Sequence, residues 1–197
     1  FRLAALSLTL LLLTACAAEP VKNPVVDSSE DLYGAPLPEF SSPVTLEELR
    51  MAFYRYSVVS IVKALHEGNE FNWNYLLNKV REGDADWTYA LRTYVAPGAD
   101  AGAATDVLIT YATALPNKPQ AIRQWNLGRG DSLARVCNLP FIEPEYEFVR
   151  NYGEKTLAAL QSVEEDYLLE SRDLCARYLR ESLDKAEAIW RSGRWVY

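Results

Sequence analysis

Apolar side chains recur at intervals of three and four from Thr45 to near the chain's end, and the intervals break where polar caps or glycines stand. That period is the helical one, since residues three and four apart share a helix face. Thr45-Leu46-Glu47-Glu48 has the Thr-x-x-Glu form of a capping box. Leu49, Phe53, Tyr56 and Val59 follow, widened by Val58, Ile61 and Leu65, so the pattern predicts one long central helix running to Gly68. A second helix is expected from Glu70 to Glu82, with Phe71, Tyr75, Leu76 and Val80 and a closing Gly83. Asp84 or Asp86 caps a third, carrying Trp87, Ala90, Leu91 and Tyr94 before Pro97-Gly98. Asp100 opens a fourth through Val107, Tyr111 and Leu115. Asn117, with Pro119 and Gln120 behind it, opens a fifth carrying Ile122 and Trp125.

Beyond Gly128 and Gly130, Asp131 caps a brief helix to Cys137, ended by Asn138-Leu139-Pro140. The crossing PFIEP leads to a new start, with Pro144 in the first turn and Glu143, Glu145 and Glu147 complementing the positive helix end. Phe148, Val149, Tyr152, Leu157 and Leu160 form its stripe. Ser162-Val163-Glu164-Glu165, another capping-box form, separates it from a last helix through Leu168, Leu174, Cys175, Tyr178, Leu179, Leu183, Ala186 and Trp190, closed by Gly193. No window alternates with period two, so the expected fold class is all-α, an irregular multi-helix bundle with essentially no β-sheet. The short helices from Trp87 to Trp125 resemble a HEAT-like α-solenoid in their lengths. No repeated motif accompanies that likeness, and the irregular bundle is the preferred reading.

Residues 17–44 break the period altogether. Five of the chain's ten prolines fall here, with Ser28, Ser29, Ser41 and Ser42. Proline fixes φ and removes a donor, so the stretch reads as an extended spacer reaching at most roughly 80 Å in polyproline-like conformation. Tyr33, Leu37 and Phe40 are the residues by which it could instead dock on the domain. The division expected is residues 1–15 as a signal peptide, 16–44 as an anchor residue and spacer, and 45–197 as one helical domain.

Ahead of the spacer, Arg2 is followed by an apolar run from Leu3 to Leu13 broken only by Ser7 and Thr9. This suits a secretory h-region and falls short of the roughly 20 residues that span a bilayer. At its end stands Leu13-Thr14-Ala15-Cys16, which resembles the lipobox of bacterial lipoproteins. The resemblance implies cleavage before Cys16, diacylglycerol in thioether linkage on its sulfur, and acylation of the new amino group. Two or three acyl chains hold a protein stably where one does not. Ala17, where an Asp would retain the protein at the inner membrane, implies by analogy an outer membrane facing the periplasm. The chain as a whole is similar to proteobacterial helical lipoproteins, a likeness that carries no activity with it.

Removing residues 1–15 leaves 19 Lys plus Arg against 27 Asp plus Glu, a formal charge of −8. Such a chain is a poor nucleic-acid binder, because affinity for phosphates comes from Lys and Arg displacing counterions. A basic partner, or one bound through apolar surface, fits better. With Cys16 given to lipid, Cys137 and Cys175 remain as a pair in an oxidising compartment, and a disulfide between them is expected.

Little in the chain points to chemistry, and no catalytic or metal-binding residue is assigned. The single histidine, His66, falls in a last helical turn, and no Gly-x-Ser-x-Gly elbow accompanies it. Cys-x-x-Cys and His-x-x-x-His spacings are lacking, as is a glycine-rich phosphate loop, so no metal or cofactor is expected beyond the covalent lipid. The carboxylate clusters Glu143/Glu145/Glu147 and Glu164/Glu165/Asp166 sit in first turns, where caps and dipoles favour them. The tail from Trp190 to Tyr197 differs: Trp190, Arg194, Trp195 and Tyr197 are residue types enriched at interface hot spots. The function expected is a tethered, non-catalytic interaction or scaffold module docking an envelope protein or glycan. The alternatives are a peptidoglycan-acting enzyme and an inhibitor of a basic periplasmic enzyme.

Overall fold

The computed structural model describes residues 37–122 and 131–194. Cys16 and the lipobox, Tyr33, Trp125, Trp195 and Tyr197 lie outside the described residues. Among those described there are eight α-helices and no strand. They are α1 (Leu46–Phe53), α2 (Val58–His66), α3 (Glu70–Arg81), α4 (Ala85–Ala90), α5 (Ala101–Ala114), α6 (Asp131–Cys137), α7 (Tyr146–Gln161) and α8 (Leu169–Arg191). No helix among them is long and apolar enough to cross a membrane.

The long first helix expected from the pattern is two helices. Ala52 O accepts the N–H groups of both Arg55 and Tyr56, closing α1, and the Ser57 hydroxyl accepts the Ser60 N–H to cap α2. The break restarts the phase of 100° per residue. Val59, assigned to the buried stripe, therefore faces out at 55% exposure, while Ile61, Val62 and Leu65 go in. The capping box at the start of α1 forms as expected: Thr45 Oγ1 accepts the Glu48 N–H, and the Glu48 carboxylate accepts the Thr45 N–H.

Asn69 caps α3, and Gly83 stands just past its end at φ +82°, a left-handed value that only glycine adopts without cost. Of the two candidate caps for α4, Asp84 is the one used. α4 runs into a π-helical turn, Leu91–Val95, and a 3-10 turn, Ala96–Gly98, which lies against the start of α2. The contact is close: a Cβ on Gly98 would come within 2.4 Å of the carbonyl carbon and oxygen of Val58. α4 has six residues and α5 fourteen, so the solenoid alternative finds no repeated helix pair in this part of the described chain. Of the expected fifth helix, the described residues hold the entry, a 3-10 turn Pro119–Ala121 entered at Lys118 instead of Asn117, and a helical Ile122; its continuation through Trp125 lies outside the described residues.

α3 is the hub of the first half, packing on α2, α4 and α5. The second half is built on α8, against which α6 and α7 lie, and α5 meets α6 where the halves join. Tyr152 of α7 also crosses, donating its hydroxyl to Ala112 O at 2.9 Å. One apolar cluster runs through both halves, from Val44 and Leu49 to Leu168 and Leu179.

Two further details depart from the sequence reading. Ser162-Val163-Glu164-Glu165 breaks the pattern as expected, but not as a capping box. Ser162 ends α7 and donates to Ala159 O, and α8 is entered through a 3-10 turn, Asp166–Leu168, without a side-chain cap. Pro144 stands ahead of α7, whose cap position is Glu145. Its stripe is Val149, Tyr152, Thr156 and Leu160, and Phe148, one residue out of phase, is half exposed.

The end of the expected spacer folds onto the domain. Asn72, with no exposed surface, accepts the Val44 N–H on Oδ1 at 2.8 Å and donates from Nδ2 to Ser41 O at 2.7 Å. Glu48 accepts the Ser41 N–H at 2.9 Å, Phe40 packs against the core, and Leu37 stays exposed.

Candidate functional site

Cys137, at the end of α6, is joined to Cys175 of α8 by a disulfide with a Cα separation of 5.4 Å. The bond fixes the entry of the crossing from Asn138 to Glu145, and Ser182 of α8 donates to Asn138 Oδ1 at 3.1 Å. Within the crossing, Leu139 at φ +55° and Glu143 at φ +44° take left-handed values that L-residues avoid at about 1–2 kcal/mol each. The two turns set neighbouring side chains to opposite uses. Phe141 is half-buried, edge-on to Phe148 at 5.0 Å and to Tyr152 at 4.8 Å, while Ile142 is 70% exposed.

α7 and α8 form a hairpin whose short connection, residues 162–168, lies at the other end. Tyr146 at the start of α7 therefore meets Trp190 in the last turn of α8. Their rings stack at 4.6 Å, 8° from parallel, with Trp190 still 48% exposed. The Tyr146–Trp190 stack, with the exposed Ile189 next to Trp190 in sequence, makes an apolar ridge at the open end of the hairpin. Ile142 in the crossing and Phe148, which lies about 200° around α7 from Tyr146, are further exposed apolar side chains of this region. Carboxylates flank it: Glu143 and Glu145 in the crossing, Glu147 paired to Arg150 at 2.7 Å, and Glu187 paired to Arg191. The ridge can receive an apolar surface. It offers no nucleophile.

Of the expected interaction tail, Trp190 belongs to this ridge, and Arg194, exposed, donates from Nε to Ser192 Oγ at 3.0 Å. Tyr146, Ile142 and Phe148 were not foreseen as surface. The signal for Phe148 was present: Phe148 and Val149 are adjacent, 100° apart on the helix, so both cannot head the same stripe.

A second aromatic group lies on the first half. Tyr94, turned by the π-helical segment, contacts Phe53 at 5.0 Å and Tyr89 at 6.0 Å, and Tyr54 is 68% exposed beside Phe53. Burial, with the phenols of Tyr89 and Tyr54 nearby, pushes the Tyr94 hydroxyl above the usual tyrosine range. His66, at the end of α2 as expected, lies 3.5 Å by Nε2 from Asp106 Oδ2 and edge-on to Trp73 at 5.0 Å. Trp73 Nε1 donates to the same Asp106 oxygen at 2.9 Å, so that carboxylate joins α2, α3 and α5. No cluster of three or more His, Cys, Asp or Glu able to hold a metal ion occurs among the described residues.

Fold and surface define an all-α helical protein with a disulfide-braced hairpin. No family model, no curated protein and no solved structure matches the chain.

Proposed function

We propose that the chain is a lipoprotein of the bacterial cell envelope, tethered through diacylglycerol on Cys16, whose helical domain docks a partner and does no chemistry itself. The observation that carries this reading is Leu13-Thr14-Ala15-Cys16 behind an apolar run that starts at a single basic residue. By the same resemblance the protein sits on the outer membrane and faces the periplasm. The disulfide suits an oxidising compartment, where such bonds form and persist. The half-exposed Trp190 stacked on Tyr146, with Ile142 and Phe148 also exposed in this region, supports docking, because exposed aromatics are common anchors of interfaces. The formal charge of −8 left after removal of residues 1–15 favours a basic partner, which serves a scaffold and an enzyme inhibitor alike.

The alternative of an enzyme acting on peptidoglycan needs a carboxylic acid whose pKa is raised. Among the described residues, the carboxyl groups whose pKa this structure shifts, Glu47, Glu48 and Asp173, are all held below the usual carboxylate range. Zymography on peptidoglycan checks that alternative: a cleared band at the chain's mobility would replace the docking reading with a catalytic one.

Two measurements test the proposal itself. Mass spectrometry of the protein made in a bacterial host should show an N-terminal Cys16 bearing diacylglycerol, and Cys16→Ser should release the protein from the membrane fraction. An unprocessed N-terminus would sink the anchor. For docking, full-length protein and the variants Trp190→Ala and Ile142→Ser are compared in cross-linking from intact envelopes. A partner joined to the parent chain and lost from both variants is the expected result, and an identical cross-linking pattern in all three refutes the ridge.

A further inference from the structure

At the closed end of the α7–α8 hairpin the helices leave an open hollow of about 270 Å³, lined by Leu160, Gln161, Arg172, Asp173, Ala176 and Arg180. Arg172, Ala176 and Arg180 are four residues apart and so lie along one face of α8. The floor is apolar, formed by the buried side chains of Leu160 and Ala176. The walls carry the charge. Arg172 is held in place: Nη1 donates to Val163 O at 2.9 Å, Nε donates to Asp173 Oδ1 at 2.8 Å, and Nη2 lies 2.8 Å from the same oxygen. A guanidinium has five N–H donors, so one on each terminal nitrogen is left over. Arg180 is exposed and makes no hydrogen bond or ion pair among the described residues, acting on Asp173 only through its field.

The chemistry of a fitting ligand follows from this inventory. Two guanidinium groups and one carboxylate leave the hollow with a single net positive charge. It also abuts the C-terminal end of α7, where the helix dipole is negative and opposes any anion, a dianion more than a monoanion. A monoanion is therefore favoured over phosphate. The apolar floor asks for a small hydrocarbon group beside the charge, and the Gln161 amide can pair with a neighbouring amide.

We propose that this hollow binds the end of a peptide chain, its terminal carboxylate between Arg172 and Arg180 and a small apolar last side chain on Leu160 and Ala176. The site is separate from the aromatic ridge and goes beyond the docking assigned to it.

The test uses the full 197-residue chain and ligand-observed NMR titration with three probes: acetyl-Gly-Ala-Ala as the free acid, the same peptide as its C-terminal amide, and inorganic phosphate. The free acid should saturate with a Kd below about 1 mM, and the amide should bind at least about tenfold more weakly, since it lacks the charge-assisted pair. Arg180→Gln should weaken the acid about tenfold and leave the amide unchanged, with Arg180→Lys recovering part of the loss. Arg180 is exposed, so these variants should keep the parent's thermal melt, and Trp190→Ala should bind the acid as the parent does. Equal binding of acid and amide, phosphate competing at or below the acid's concentration, no saturation by the acid, or indifference to Arg180→Gln would each overturn the proposal.

Discussion

Removing the Asn72 amide should free the segment that joins the domain to its spacer. Asn72 is wholly buried and holds two backbone groups, the Val44 N–H and the Ser41 carbonyl. In Asn72→Ala the Ser41 carbonyl, on an exposed residue, can turn to water. The Val44 N–H cannot, because Val44 is itself buried, and an orphaned buried donor costs about 1–3 kcal/mol. The hole left by the side chain adds to this, for a loss of about 2–4 kcal/mol. With a urea slope of about 2 kcal/mol per molar, the unfolding midpoint should fall by roughly 1–2 M. Limited proteolysis should meanwhile open residues 37–44 before the rest of the domain. Asn72→Asp separates the hydrogen bonds from the packing. Its carboxylate still accepts from Val44, but it sets an oxygen against Ser41 O unless protonated. Its folded pKa is thereby raised above the unfolded value near 3.9, so the variant's stability relative to the parent should be greatest below that value and fall as pH rises. A midpoint for Asn72→Ala within about 0.2 M of the parent, or an Asn72→Asp difference flat with pH, would refute the reasoning.

Other consequences are simpler to state. Replacing both Cys137 and Cys175 by Ala opens a loop of 38 residues and should lower stability by about 3–4 kcal/mol, read from urea melts with and without reductant; an unchanged melt would contradict it. Gly98→Ala forces a methyl against the Val58 backbone, which cannot rotate away, so a loss above about 2 kcal/mol is expected in thermal melts. A variant as stable as the parent would show that the turn tolerates displacement. Burial opposes ionisation of Glu48, but hydrogen bonds from Ser41 and Thr45 outweigh it and bring the pKa down from 4.5 to about 2. A depressed folded pKa adds stability above the unfolded value that is lost as pH falls through the folded one, so Glu48→Gln should remove pH dependence between about 4.5 and 2. Carboxyl NMR placing the Glu48 midpoint near 4.5 would contradict this.

The helical class was legible because most helices announce both period and ends: Thr45, Asn69, Asp84 and Gly83 stand where their cap chemistry puts them. The split between α1 and α2 was hidden, since Phe53, Tyr56 and Val59 continue the spacing across it and a lone Ser57 is a weak stop signal. What places Val59 outside is a backbone break that restarts the phase, and hydropathy alone does not carry that. The clamp by Asn72 was equally invisible, because it joins residues 28 and 31 positions apart. For the surface, Trp190 was picked out by its place near the chain's end, but its partner Tyr146 depends on how the hairpin closes. The arginine hollow needed the same closure, since Leu160 and Arg172 face each other only once the connection between the helices is built.

The bond between Cys137 and Cys175 encloses the whole of α7, the connection after it and the first turns of α8 in one covalent ring. A protease that cuts the backbone once anywhere inside that ring, at the exposed Ile142 or in the turn before α8, leaves both fragments joined through sulfur. The nicked protein should run as one band without reductant and as two with it. The two stretches that border the candidate binding surfaces can thus be severed without shedding a piece.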